Sequence, residues 1–278
     1  MAKILITGSN GFIGKELVKR FKKDEYITDI INSERIDFKN LDQVLKLESV
    51  EIVIHLGSKT KKNLEWQEYY ENNVLGTLNI LKYCVKKKIK KIIFLSSYVY
   101  GNPKYLPIDE KHPINPHNKY TKSKYLAEEL CRTYAKKFNI NTIILRPFNI
   151  YGEKLPEGFL ISNLLKSIKN DEKITITNKL SKRDFLHVND FIDLILKLMN
   201  YNCELEIFNV GSGKSYSFTE IIENIENKIT KKIDIKYIEN QENFIEDIKA
   251  DITKICKIVD WKPKRKFYEE LEQIIKTK

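Results

Sequence analysis

The sequence predicts a doubly wound α/β fold, in which a parallel sheet is covered on both faces by helices. Two observations carry that prediction. Through the first half, short, near-continuous apolar runs alternate with longer amphipathic segments, which is the pattern of parallel strands buried on both faces. Directly after the first apolar run stands a glycine-spaced turn, Gly8-Ser9-Asn10-Gly11-Phe12-Ile13-Gly14, where such a sheet enters its first crossover helix.

The elements follow in order. Residues 3–7 read as a buried strand, and residues 12–21 as a helix with apolar positions at helical spacing. Residues 26–31 give a second strand and 41–47 a short helix. Residues 51–56 form a third strand, followed by a long helix over about 66–85. The run around Ile92-Ile93-Phe94-Leu95 makes a fourth strand over 91–96. Residues 118–138 are helical, and Thr142-Ile143-Ile144-Leu145-Arg146 is a fifth strand. Beyond Arg146 the texture changes: Pro147, Gly152, Pro156 and Gly158 punctuate it and the elements shorten. Residues 206–210 still read as a core strand, so the second region is interleaved with the first. The expected division is a sheet domain over 1–152, to which segments near 184–213 return. Residues 153–278 mainly build a smaller lobe over the sheet's C-terminal edge, where ligands bind in open α/β sheets.

Composition excludes several classes of function. With 42% hydrophobic and 31% charged residues the chain is globular rather than disordered. No stretch approaches the roughly 20 apolar residues a bilayer needs, and the first residues carry no targeting pattern. The four cysteines (Cys84, Cys131, Cys203, Cys256) and four histidines have no metal-ligand spacing, so no metal is expected. We read the cysteines as reduced thiols of a cytoplasmic protein. The net charge of +11 comes from lysine: only six of the 49 basic residues are arginine. The densest run, Lys86-Lys87-Lys88-Ile89-Lys90-Lys91, begins at a helix end, where the dipole favours cations. Arginine forks and interleaved aromatics are missing, so nucleic acid is not an expected partner.

The glycine turn is the strongest chemical signal. Gly8 permits a tight turn, Gly11 lets the backbone approach a pyrophosphate, and Gly14 lets the helix pack close to the sheet. The chain has only 10 glycines, and three fall within these seven residues. Phosphates of a dinucleotide would sit at the positive end of the following helix. Such sites hold the ribose hydroxyls of NAD with an acid after the second strand. Here Asn32-Ser33-Glu34-Arg35 stands there instead; the missing acid at Asn32 and the nearby Arg35 suit the extra phosphate of NADP, which is favoured over NAD. Asp37, followed by Phe38, is placed to bond an adenine amine.

The second signal is Tyr120-Thr121-Lys122-Ser123-Lys124. Residues four apart share a helix face, and a cation beside a phenol lowers its pKa toward use as a general acid/base. Spacing alone does not select this pair, because Tyr83 with Lys87 and Tyr100 with Lys104 share it. Position does: Tyr120 begins a helix, and the preceding strand ends in the hydroxyls of Ser96 and Ser97. A serine there can bond a substrate oxygen while Tyr120 exchanges its proton. His55 and His187 read as packed side chains.

Together these residues resemble the extended short-chain dehydrogenase/reductase family, the NAD(P)-dependent nucleotide-sugar epimerases, dehydratases and ketoreductases, across nearly the whole chain. The resemblance implies a Rossmann-type domain with a smaller substrate-binding lobe. The turn from Thr7 to Gly14 is similar to the family's cofactor loop, assigning Gly8, Asn10, Gly11, Phe12 and Ile13 to the cofactor. His55-Leu56-Gly57-Ser58, Asn72-Asn73-Val74 and Arg146-Pro147-Phe148-Asn149-Ile150-Tyr151-Gly152 resemble further family segments. They add Leu56, Gly57, Ser58, Asn73 and Pro147 to the cofactor site, together with Asn32, Arg35, Asp37, Phe38, Tyr120 and Lys124. Leu95-Ser96-Ser97-Tyr98-Val99-Tyr100-Gly101 looks like the catalytic serine segment, and the offset from Gly101 puts Ser96 at the catalytic position beside Tyr120 and Lys124. Ser97, Tyr98 and Asn149 are implied substrate contacts. Lys182-Arg183-Asp184-Phe185-Leu186-His187-Val188-Asn189-Asp190 resembles the segment whose arginine, Arg183, meets a sugar nucleotide's diphosphate. Asn209-Val210-Gly211-Ser212-Gly213 and Trp261-Lys262-Pro263 are two further landmarks.

The implied chemistry is hydride exchange between a nicotinamide and a sugar carbon, commonly C4, with a nucleotide sugar as substrate. Ser97 and Tyr98 stand where a 4,6-dehydratase carries an acidic pair, which argues against elimination of water. The compressed stretch over 30–41 favours a 4-keto-6-deoxy-sugar nucleotide reductase; a 4-epimerase is the alternative, and a non-catalytic NADP(H)-binding sensor a distant one. The family pairs as a homodimer through its two long helices, here 66–85 and 118–138.

Overall fold

A computed structural model describes residues 3–23, 30–32 (by backbone alone), 36–170, 172–229, 232–238 and 245–276. In chain order the first half runs β1 (Ile4–Thr7), α1 (Phe12–Lys23), β2 (Ile30–Asn32), α2 (Leu41–Leu45) and β3 (Ile52–His55). It continues with α3 (Trp66–Tyr69), a π-helical turn (Tyr70–Leu75), α4 (Gly76–Lys86), β4 (Lys91–Leu95), α5 (Lys119–Phe138) and β5 (Asn141–Pro147). The second half holds β6 (Asn149–Tyr151), α6 (Leu160–Asn170), β7 (Ile174–Thr177), β8 (Lys182–His187), α7 (Val188–Asn200) and β9 (Leu205–Val210). Then come β10 (Ser215–Ser217), α8 (Phe218–Ile229), β11 (Ile235–Ile238), β12 (Asp247–Ile248), α9 (Thr253–Val259) and α10 (Phe267–Lys276). No helix among the described residues is long and apolar enough to cross a membrane.

The main sheet has strand order β2-β1-β3-β4-β5-β9, with β1 to β5 parallel. The chain steps from β1 outward to β2, then crosses back to β3 on the other side of β1. That reversal opens a crevice at the C-terminal ends of β1 and β3, where ligands bind in open sheets. Strands β1 and β3 are buried at every position, as runs such as Ile4-Leu5-Ile6 predict for a sheet covered twice. The pleat divides them. Leu5, Val53, Ile92, Phe94 and Ile144 pack with Ile80, Tyr83 and Cys84 of α4 and Ala127 and Cys131 of α5. Their neighbours Ile4, Ile6, Ile54, Ile93 and Ile143 are buried on the opposite face.

Two compact units result. The first is Met1–Gly101, Ile114–Pro147 and Ile192–Phe208; the second is Asn102–Pro113, Phe148–Phe191 and Asn209–Lys278. The first unit thus leaves the chain at Pro147 and takes it up again over Ile192–Phe208. The strand over 206–210 does join the main sheet as β9. In the second unit β8 pairs with β6, β10 and β12, while β7 pairs with β11. Its core gathers Tyr151, Leu164, Phe185, Ile221, Phe267 and Leu271, with Phe185 stacked on Phe267 at 5.0 Å.

Two elements differ from expectation. The helix over 66–85 is interrupted by the π-helical turn at Tyr70–Leu75, a one-residue widening of a kind frequent at functional sites. The second strand begins at Ile30 among the described residues, and positions 24–29 lie outside them. Helix α5 starts where a cap predicts. The Asn118 side chain accepts the Thr121 N–H, and the Thr121 hydroxyl accepts the Asn118 N–H.

Candidate active site

The site in the first unit begins at the turn after β1. Gly8 has φ +70°, and a Cβ there would lie 2.8 Å from Gly57 Cα. A side chain is thus strained by conformation and blocked by the β3 loop. A Cβ on Gly14 would run into the Gly8 carbonyl oxygen, so the first turn of α1 can lie against the loop only with glycine there. Below the turn a cavity of about 320 Å³ opens at the crevice between β1 and β3. It is lined by Gly8, Ser9, Asn10, Ile36, Asp37, Phe38, Lys39, His55, Gly57, Ser58, Lys59 and Asn72.

Of the expected cofactor residues, the cavity brings together Gly8, Asn10, Asp37, Phe38, Gly57 and Ser58. Gly11, Phe12, Ile13, Leu56, Tyr120, Lys124 and Pro147 are not on its wall, and neither is Asn73. Arg35 lies outside the described residues, as does the side chain of Asn32. Asn73 has an internal task instead. Fully buried, it accepts the Lys59 N–H at 2.8 Å and donates to Ser123 Oγ at 2.9 Å, tying the β3 loop to α5. Its neighbour Asn72 lines the cavity. The loop bearing Asp37 and Phe38 is held by Asn79, which donates to the Phe38 and Lys39 carbonyls at 3.0 Å. A glycine cradle that any Cβ would fill, beside a helix N-terminus and a cavity of this size, fits a dinucleotide.

His55 was missed as a cavity residue. Its ring is buried between Thr7 Oγ1 at 2.6 Å and Thr77 Oγ1 at 3.0 Å. Burial, and secondarily the charge of Lys124, pulls its pKa from 6.5 down to about 3. The unfolded chain therefore binds this proton first. The ring's contribution to stability is complete above about pH 6.5 and is lost as the pH falls, at about 1.4 kcal/mol per unit. We expect His55→Gln to flatten the loss of stability between pH 6.5 and 5, measured by urea unfolding. Equal slopes in the variant and the parent would refute a buried neutral ring.

Tyr120 stands half-buried at the start of α5, its ring centroid 6.1 Å from that of Tyr69. Burial raises its pKa, and the hydroxyls that pull it back down by hydrogen bonding are those of Ser97 and Ser58. Lys124 is buried with its Nζ over the Phe94 ring, 4.4 Å from the centroid. Desolvation takes it down to about 8, against the raising influences of Cys131 and Glu128.

Ser96 is buried and donates to Glu128 Oε1. Glu128 in turn is gripped by Arg146, with Nη2 to Oε2 at 2.7 Å and Nε to Oε1 at 3.0 Å. Arg146 Nη1 donates to the Tyr100 hydroxyl at 2.9 Å. Tyr98 turns its hydroxyl onto the Gly101 carbonyl at 2.7 Å.

The remaining expected substrate residues belong to the second unit. Asn149 Nδ2 donates to the Asp184 carbonyl at 2.9 Å. Arg183 Nη1 donates to the Lys182 and Ile245 carbonyls at 2.8 and 3.0 Å, which fixes one edge of its guanidinium. Beside it, the buried Asp184 carboxylate accepts from Ser212 N, Ser212 Oγ, Gly213 N and Ala250 N, joining β8 to the turn after β9 and to Ala250 beyond β12.

Residues 4–211 match the family described as the NAD dependent epimerase/dehydratase family. A putative UDP-glucose 4-epimerase of Methanocaldococcus jannaschii is 34% identical, covering 98% of this chain and 97% of its own. The dTDP-4-dehydro-6-deoxyglucose reductase of Escherichia coli is 29% identical over 99% of this chain and 96% of its own. Among solved structures, the UDP-glucuronic acid 4-epimerase of Bacillus cereus in complex with NAD superposes with a TM-score of 0.87 at 25% identity, covering 99% of both chains. With the glycine cradle, the cavity and the Tyr120 cluster in one unit, the chain belongs to the NAD dependent epimerase/dehydratase family and is an enzyme that uses NAD or NADP.

Proposed function

We propose that this enzyme is a nucleotide-sugar 4-epimerase. The observation that carries the reading is the 34% identity, over essentially the full length of both chains, to a putative UDP-glucose 4-epimerase. This reverses the order expected from sequence, where the reductase came first. The reductase is the second reading, supported by Asn32 in place of a ribose acid and by the reductase relative from Escherichia coli.

In this reading Gly8, Asn10, Asp37 and Phe38 hold the dinucleotide, which when bound accepts a hydride from the sugar and returns it. Tyr120 takes the proton of the sugar hydroxyl as its carbon is oxidised and gives it back on reduction. Ser97, rather than Ser96, bonds the oxygen that changes charge. Lys124 keeps a buried positive charge beneath the site, and its lowered pKa leaves it close to titration near neutral pH. Arg183 holds the diphosphate of the substrate through charge-assisted bonds. We infer that two copies pair through α4 and α5.

The purified protein should interconvert UDP-glucose and UDP-galactose without net change in nicotinamide absorbance, followed by chromatography of the sugar nucleotides. Stoichiometric oxidation of NADPH or NADH by a nucleotide-linked 4-keto-6-deoxy sugar would instead establish the reductase. Dinucleotide binding with neither activity would leave a sensor.

A further inference from the structure

We propose that Tyr100 is a positioning residue: its hydroxyl, bound to Arg146, holds the far end of the segment 96–101 against the helix that carries Tyr120, and so sets where Ser97 stands. The proposal deepens the reading of Ser97 as the hydroxyl on the reacting oxygen and rests on it.

Tyr100 shares with Tyr120 the four-residue spacing to a lysine, yet its side chain is buried and its hydroxyl is engaged elsewhere. Arg146 Nη1 donates to it at 2.9 Å, and the guanidinium carbon lies 5.1 Å from the centre of its ring. The same guanidinium donates to Glu128 through Nε at 3.0 Å and Nη2 at 2.7 Å. Glu128 belongs to α5, about two turns beyond Tyr120, and accepts the Ser96 hydroxyl. One buried ion pair therefore grips the segment at both ends. Glu128 takes Ser96, whose N–H extends the ladder beyond β4 to the Leu145 carbonyl at 2.8 Å, and Arg146 takes Tyr100. A guanidinium is planar and rigid, so fixing two of its nitrogens on Glu128 fixes the third, and Tyr100 with it.

Between the two grips stand Ser97, Tyr98 and Val99, in neither strand nor helix. The Val99 carbonyl accepts the Asn115 N–H at 3.0 Å, and the Tyr98 ring meets that of Tyr100 edge-on at 5.6 Å. Gly101 closes the segment at φ +67°, where a Cβ would lie 2.2 Å from the Asn115 carbonyl oxygen. Stability alone does not require the ion pair, since its desolvation costs about as much as its attraction contributes and an apolar pair of similar volume holds a fold as well. An apolar pair cannot set direction. This one joins α5, β5 and the end of β4, and so fixes the elements that carry Tyr120 and Ser97 relative to each other, which is what a reaction between held groups needs.

Four proteins test this: the parent, Tyr100→Phe, Ser97→Ala and the double variant. Tyr100→Phe keeps the ring and removes only the oxygen. Hydrogen exchange of peptides over 96–101 should rise about tenfold in Tyr100→Phe, with peptides from β1 and β3 unchanged. With UDP-glucose, kcat should fall about three- to tenfold while KM and NAD affinity stay within about twofold, because Tyr100 is not on the cavity wall. In the Ser97→Ala background, Tyr100→Phe should lower turnover no further, since the hydroxyl it positions is already gone. Unchanged exchange over 96–101 would overturn the proposal. So would exchange raised equally across the chain, or losses of kcat that multiply in the double variant, since either would reduce Tyr100 to a structural residue. Faster exchange over 96–101 together with full turnover in Ser97→Ala would leave the grip on the segment standing and remove Ser97 from the chemistry. Exchange needs no substrate, so it decides the grip whichever reaction the enzyme catalyses.

Discussion

Tyr120→Phe is expected to lose turnover by about a hundred- to ten-thousandfold, the scale of a lost general acid/base, while dinucleotide affinity stays within about threefold of the parent. The substitution deletes one oxygen. It keeps the ring and its packing 6.1 Å from Tyr69, and it leaves the cavity wall, to which Tyr120 does not contribute, unchanged. Ser97→Ala should act in the same direction with a smaller loss, because the Ser97 hydroxyl is one of the groups that draw the Tyr120 pKa down against burial. Ser96→Ala should spare turnover relative to Ser97→Ala and lower stability, since Ser96 is buried on Glu128. Initial rates of sugar-nucleotide conversion, dinucleotide titration and urea unfolding on the three variants decide the matter. Turnover above about a tenth of the parent's in Tyr120→Phe would remove the acid/base role. A larger loss in Ser96→Ala than in Ser97→Ala would return the hydroxyl role to Ser96.

That pair of serines marks the limit of what the sequence reveals. The strands were legible because the runs around Leu5, Val53 and Ile93 are apolar at every position, which only a doubly covered sheet buries. The glycine turn was legible because its three glycines answer separate steric demands, two of them now visible at Gly8 and Gly14. Counting back from Gly101 fixes a residue number but not the side of the strand on which its hydroxyl falls. The period of two holds that information: Ile92 and Phe94 pack toward α5, so Ser96, of the same parity, continues onto Glu128. Glu128 itself escaped notice because a glutamate in an amphipathic helix reads as a solvent residue. Yet it sits four after the buried Lys124 and three before the buried Cys131, and a charge on the apolar stripe was the available signal. The π-helical turn left no trace, because widening one turn disturbs the apolar spacing over too few residues to be seen. The NADP argument from Asn32 and Arg35 falls on positions whose side chains lie outside the described residues.

Arg146→Met should be the most destabilising single change, at about 3–5 kcal/mol, a large share of the total stability of an ordinary domain. Arg146 and Glu128 are 1% and 0% exposed, and the guanidinium reaches the carboxylate through Nε and Nη2 at 2.7 to 3.2 Å. Removing the arginine leaves the buried Glu128 carboxyl with the Ser96 hydroxyl, Arg132 at 3.9 Å and the charge of Lys124 to answer it. Removing both charges together, in Glu128→Leu with Arg146→Met, should recover most of the loss, because what costs energy is the orphaned charge rather than the missing pair. Activity should not recover with stability. Glu128 raises the pKa of Lys124, which burial already holds at about 8. Without Glu128 the lysine gives up its proton at lower pH, so the alkaline limb of the rate profile should move toward neutral. Urea unfolding and the pH dependence of turnover on the two singles and the double test both halves. A double variant as unstable as Arg146→Met would mean that the pair contributes attraction beyond its desolvation cost. A recovered double with the parent's alkaline limb would mean that Glu128 acts on the fold alone and that the charge on Lys124 is set without it.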